Sequence, residues 1–239
     1  DDKTYATHVL RVATRLIGRD HFNHQDNPQL VIAALLHDVI EDHPERILGE
    51  EALDDHDMSP ANITARQQQR ERALVHIVGT YGVEVADMVE DLSNEIYDET
   101  GLDQDKKHQI YQDHVSKLMQ SGRPAAIIKL SDFVDNCLGL QFNPDINRRY
   151  KLARKYAPLL PVMLQYALDS DLKSSVKTNI TDELLYALYL CQQIIATEGQ
   201  SSDVPDATPP WPTNSHTEET WNGSASGPAG YTTTQSRNF

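Results

Sequence analysis

A chain of 239 residues, 39% of them hydrophobic, can bury one substantial core and still carry a polar tail. A formal charge of −15 argues against a general nucleic-acid binder, which needs a basic face, so no nucleic-acid partner is expected. No apolar run reaches the length of a membrane span and no charged-then-apolar leader opens the chain, so no membrane partner is expected either.

The first predicted helix carries Val9, Val12, Ala13, Leu16 and Ile17 at i, i+3, i+4, i+7 spacing, with His8 near its start. The chain opens on Asp1 rather than Met, and a truncated N-terminus is the expectation. Asn27-Pro28 is a cap followed by proline at the first helical position. The run that follows, residues 30–36, is apolar nearly all round and is expected to be the buried centre of the domain. Residues 50–66 are polar and read as a loop. Further helices are predicted at about 67–79, 83–93, 103–120, 124–140 and 147–168, the last broken or kinked by Pro158 and Pro161. Thr181 reads as the cap of a final helix, with Asp182 and Glu183 in its first turn, where the helix dipole favours negative charge. No segment alternates with period two, so the fold class is all-α, over residues 1–198. Residues 199–239 are rich in Ser, Thr, Pro, Gly and Asn and read as a disordered tail. Cys137 and Cys191 lie in apolar helical contexts and read as core thiols of a reducing, cytoplasmic compartment.

The chemistry lies in polar groups planted in apolar helices. Asp38 follows His37 within Ala33-Ala34-Leu35-Leu36-His37-Asp38-Val39-Ile40, where an unpaired carboxylate would cost several kcal/mol. A metal ion is the economical compensation, and imidazole with carboxylate suits Mn²⁺, Fe²⁺ or Zn²⁺. Glu41 and Asp42 follow one helical turn after His37 and Asp38. An His-Asp dipeptide alone is weak, and His56-Asp57, in the polar stretch Leu53-Asp54-Asp55-His56-Asp57-Met58, is a second one that water can solvate. Two remote segments sharpen the pattern. Taken singly, His8 reads as a core or capping histidine and Asp132 as a helix-surface carboxylate. With the His37-Asp38 pair they complete a ligand set from three helices, and Asn136 lies one turn beyond Asp132 on the same face. His76, His108 and His114 are candidates for a second metal, set against their reading as ordinary helix histidines.

The ordered pieces Tyr5-x-x-His8, Leu35-Leu36-His37-Asp38-x-x-Glu41-Asp42 and Lys129-Leu130-x-Asp132-x-x-x-Asn136 resemble the HD superfamily. They resemble more closely the hydrolase domain of RelA/SpoT-type alarmone enzymes and their small stand-alone relatives, with Tyr81-Gly82-Val83-Glu84-Val85-Ala86-Asp87-Met88-Val89 as an intervening match. The resemblance spans roughly residues 3–168 and implies an all-helical HD domain. It implies Mn²⁺ on His8, His37, Asp38 and Asp132, with Glu41 and Asp42 positioning and activating water. It further implies a nucleotide substrate contacted by Asn136, with Lys3, Tyr5 and Lys129 as further substrate-binding candidates, and removal of 3′-pyrophosphate from guanosine tetra- or pentaphosphate. The chain departs from that pattern at Phe133, at Leu138-Gly139 and at Asp91-Leu92-Ser93-Asn94-Glu95, where basic or polar residues are usual. Lys106, Lys107, Arg123, Lys129 and Arg148 are the cations available to compensate, each also readable as a solvated surface charge. Hydrolysis of another nucleotide or phosphoester is the alternative, followed by a non-catalytic metal or nucleotide sensor. The pattern carries no signal for an oligomeric state.

Overall fold

Capping residues and apolar stripes set the helices of the computed structural model, which describes residues 2–18 and 27–198, with side chains described for 6–18 and 27–197. Helix α1 is Asp2–Ile17 and α2 is Pro28–Leu36, entered where Asn27 Oδ1 accepts from the Leu30 amide at 3.0 Å. Short helices α3 (Val39–Asp42) and α4 (Pro44–Leu48) follow, then α5 (Pro60–Tyr81) and α6 (Val83–Leu92). Gly82, at φ +92°, divides α5 from α6 in a conformation that only glycine adopts cheaply. Helices α7 (Gln104–Gln120) and α8 (Ala125–Gly139) precede α9 (Ile146–Tyr156), α10 (Leu160–Asp169) and α11 (Ser174–Glu198). Short 3-10 turns at Leu140–Phe142 and Ala157–Leu159 join α8 to α9 and α9 to α10, the second at the expected proline break. The described residues contain no strand, and the fold is all-α as its periodicity implies. No described helix is long and apolar enough to cross a membrane.

The centre of the domain is α8 rather than α2. Twelve of its fifteen residues are buried, and α1, α2, α6, α7 and α11 all pack on it. Helix α2 turns Leu30, Ala33 and Ala34 inward but leaves Leu35 exposed, because its short length meets neighbours on only part of its surface. Two boundaries also differ from expectation. Helix α5 starts at Pro60, not near residue 67, because Ser59 caps it by accepting from the Asn62 amide and proline occupies the first position. Thr181 lies inside α11 rather than capping it, since the buried stripe Val176, Ile180, Leu184, Ala187, Cys191 and Ile194 begins a turn earlier. Both cysteines are buried and free. The tail at 199–239 lies outside the described residues.

Candidate metal centre

Helices α1 and α8 are pinned together where Ser131 Oγ donates to the Val12 carbonyl at 3.0 Å. One turn before Val12 on α1, and next to Ser131 on α8, His8 and Asp132 therefore face each other, with His8 Nε2 3.2 Å from Asp132 Oδ1. The third segment arrives at the end of α2. His37 and Asp38 are not inside one continuous helix: the chain bends there, with Asp38 at φ −101°, ψ −4°, and α3 starts anew. The bend suits the site, because His37 Nδ1–H donates to the Ala34 carbonyl at 2.7 Å, an acceptor freed where α2 ends. His37 Nε2 then lies 3.0 Å from Asp38 Oδ2 and 3.7 Å from Asp132 Oδ1, while His8 Nε2 is 3.7 Å from Asp38 Oδ2.

These separations are close to those of ligand atoms around one metal ion. Two ligand atoms each about 2.0–2.2 Å from one ion stand roughly 2.8–3.6 Å apart, the edge of an octahedron or tetrahedron. His8, His37 and Asp132 each bring an atom within 4.8 Å of the other two, and Asp38 approaches both imidazoles from the rim. Both imidazoles are oriented alike. Nδ1–H of His8 donates to Asp135 Oδ2 at 2.8 Å, as that of His37 does to Ala34, leaving each Nε2 lone pair for the shared point. His37 Nε2 is buried with no hydrogen-bond partner, although Asp38 Oδ2 lies 3.0 Å away. An orphaned buried nitrogen among carboxylates is chemistry that a divalent cation satisfies.

The carboxylates draw positive charge to this point, either protons or a cation. Burial pulls His8 down, but hydrogen bonds to Asp132 and Asp135 win and push it up to about 9. Burial likewise opposes a charged His37, yet Asp132 and Asp38 push it up to about 10. Burial favours a neutral Asp132, but Lys129 and the two imidazoles hold it well below the ordinary carboxylate range. A metal taking the two Nε2 positions must displace protons held there at neutral pH, so its affinity should rise steeply with pH from about 6 toward 9. Calorimetry in buffers of different ionisation heat should read up to two protons released per ion. Affinity independent of pH across that range would remove the two histidines from the ligand set.

Around this centre the other residues divide. Glu41 faces Asn94, accepting from its backbone N–H at 2.9 Å and from Nδ2 at 2.9 and 3.0 Å. Asp42 is exposed as a residue, yet partial burial of its carboxyl, then repulsion by Asp38 and Glu41, push it up to about 6. Asn136 Nδ2 donates to Asp132 Oδ1 at 2.6 Å, so the i, i+4 spacing brings the two together as read. Lys129 is no surface charge: it is 5% exposed and its ammonium donates to Asp132 Oδ2 at 2.8 Å. The side chains of Lys3 and Tyr5 lie outside the described residues. Phe133 is buried against Tyr156, ring centroids 5.5 Å apart, and Leu138 packs on the core, so these two departures serve packing. His56-Asp57 is peripheral, its imidazole 93% exposed. His76 is exposed, and among the described residues His108 and His114 join no second metal-holding group.

Two contributors were not singled out from sequence. Asp135 orients His8 and is itself clamped by Arg11, whose Nε and Nη2 donate at 2.7 and 2.8 Å. Its signal was available, a second acid three residues after Asp132 in an apolar helix. Asn94, which fixes Glu41, sits beyond α6, where no periodicity marks it. It also lines a cleft of about 610 Å³ between α5, α6 and α7, with Arg70, His114, Lys117 and Arg123 opposed by Glu71, Glu90, Asp91 and Glu95.

The model of the HD domain matches residues 5–137, more than half of the chain and the whole of the His8, His37-Asp38 and Asp132 set. The chain belongs to the HD-domain family. HD domains bind divalent metal and are typically metal-dependent phosphohydrolases, which agrees with the His/Asp group found here. In this HD domain both His-Asp dipeptides fall within the matched segment, and it is His37-Asp38, not the exposed His56-Asp57, that lies at the convergence point. No curated protein and no solved structure matches the chain.

Proposed function

We propose that this HD domain hydrolyses a phosphorylated nucleotide at its 3′ position, removing pyrophosphate from guanosine tetra- or pentaphosphate or a close relative. The observation that carries the reading is the convergence of the His8 and His37 Nε2 atoms with an Asp132 carboxylate oxygen from three segments, with Asp38 Oδ2 3.7 and 3.0 Å from the two imidazoles. His8, His37, Asp38 and Asp132 would hold the ion, for which Mn²⁺ is the first choice. When bound, such a cation polarises a phosphoryl oxygen and acidifies water.

The chain's own residues supply the rest. Glu41 accepts from N–H donors of Asn94, which fix its carboxyl group and leave lone-pair capacity for a water. Asp42, near 6, can take that water's proton at neutral pH. Asn136, fixed on Asp132, offers its amide to the nucleotide. Metal binding alone does not require the Glu41 and Asp42 pair, which favours catalysis over sensing. The burial of Phe133 and packing of Leu138 favour, as second reading, a less highly charged phosphoester, because neither position presents a cation.

The test is a screen of Mn²⁺-loaded protein against guanosine tetraphosphate, NADPH and nucleoside 3′- and 5′-monophosphates, scoring phosphate and pyrophosphate separately. Pyrophosphate from guanosine tetraphosphate is the expected result. Ready cleavage of 5′-monophosphates without it would move the chain to the second reading, and no metal-dependent release from any substrate would end the hydrolase assignment.

A further inference from the structure

Behind Asp132 the site continues as a chain of charged and aromatic groups. Asp132 turns Oδ1 toward the imidazoles and Asn136, and Oδ2 toward Lys129 at 2.8 Å. The Lys129 ammonium lies 5.6 Å from the centre of the Tyr111 ring, and a second ammonium, that of Lys155 on α9, lies 3.6 Å from the same centre. Packing fixes this placement. Tyr156 wedges against Phe133, the residue after Asp132, and Gln112 Nε2 donates to the Lys155 carbonyl at 3.0 Å, so α9 is tied to both α8 and α7.

The two ammoniums differ in what answers their charge. Lys129 is neutralised by Asp132, whereas Lys155 has no carboxylate within ion-pair reach and donates to no oxygen among the described residues. The face of Tyr111 attracts a cation but accepts none of its three N–H bonds in full. Lys155 as a whole residue is only partly buried. Burial and then Lys129 pull it down to about 8, while Glu41 and Asp132 act the other way, and it remains mostly charged at pH 7. A partly buried cation on the ring that Lys129 also approaches, with no counter-charge of its own, lacks one thing, an anion.

We propose that Lys155 is an anion-binding residue of this site, taking the phosphate or pyrophosphate group of the substrate. The assignment rests on the phosphohydrolase reading and adds a residue to it from outside the segment matched to the HD domain, which ends at residue 137. It also accounts for how a chain of net charge −15 with apolar residues at Phe133 and Leu138 can hold a polyanion.

Calorimetric titration of inorganic phosphate into Mn²⁺-loaded protein tests it. Lys155→Met keeps the stem on Tyr111 and removes the charge, and should weaken phosphate binding roughly ten- to hundredfold, the loss of a charge-assisted bond. Lys155→Arg should restore affinity to within about threefold, and metal content and melting temperature should stay at wild-type values in both. Lys155→Gln is measured beside them so that poor folding of one variant does not decide the result. Equal affinity in wild type and the uncharged variants, no phosphate binding by wild type, or loss of metal in step with loss of phosphate would each overturn the assignment. Wild-type protein that binds phosphate through Lys155 but releases none from any phosphoester would instead sink the hydrolase reading and leave this one standing.

Discussion

Asp132→Ala is expected to destabilise the metal-free domain by about 3–5 kcal/mol and, separately, to abolish metal binding. The size follows from what the carboxylate leaves behind. Asp132 is 2% exposed and faces Lys129, Asn136, His8 and His37. Deleting it strands the Lys129 ammonium in the core with its nearest counter-charge gone, and an uncompensated buried charge is far costlier than a missing hydrogen bond. The double variant Asp132→Ala/Lys129→Met should therefore regain most of the lost stability, because charge and counter-charge leave together. It should not regain metal. Urea unfolding of the metal-free proteins reads the first effect without the stabilisation that a bound ion adds, and metal content after Mn²⁺ loading reads the second. A single variant within about 1 kcal/mol of wild type, or one that keeps its metal, would show that Asp132 is not the hub described.

The same residues show what a sequence can disclose. Asp132 and Asn136 were legible because a helix repeats every 3.6 residues, so a charge and an amide four apart share a face. Asn27 and Gly82 were legible because caps and left-handed turns use few residue types. The start of α5 was missed because its first turns face solvent and show no apolar period, leaving Ser59-Pro60 as the sole signal. Thr181-Asp182-Glu183 looks like a helix entry, yet Glu183 carries its charge for another helix, accepting from Arg15 of α1 at 2.6 Å. Local charge cannot reveal a tertiary partner. Asn94 and Lys155 share that fate, one in a loop and the other among Arg148, Arg149, Lys151 and Arg154 on a basic helix, where only packing singles it out.

Glu41→Gln is expected to keep the metal and lose about 10²- to 10⁴-fold in turnover, the usual consequence of removing a general base or water-orienting carboxylate, whereas Asp38→Ala should lose metal and activity together. Their surroundings separate them. Asp38 Oδ2 stands 3.0 and 3.7 Å from the two imidazole nitrogens at the convergence point. Glu41 spends its oxygens on Asn94 instead. Glutamine has the same shape as glutamate, and its one carbonyl oxygen can still accept from the Asn94 backbone. The Asn94 amide can turn to offer its own oxygen to the new NH₂ group, so the local structure survives. What disappears is the carboxylate that would aim a water toward the substrate, with Asp42 beside it to take the proton. Metal analysis and single-turnover rates on the same preparations distinguish the roles. Should Glu41→Gln lose metal as fully as Asp38→Ala, Glu41 belongs in the ligand set, and Asp42 would be left as the one acid free to take the proton.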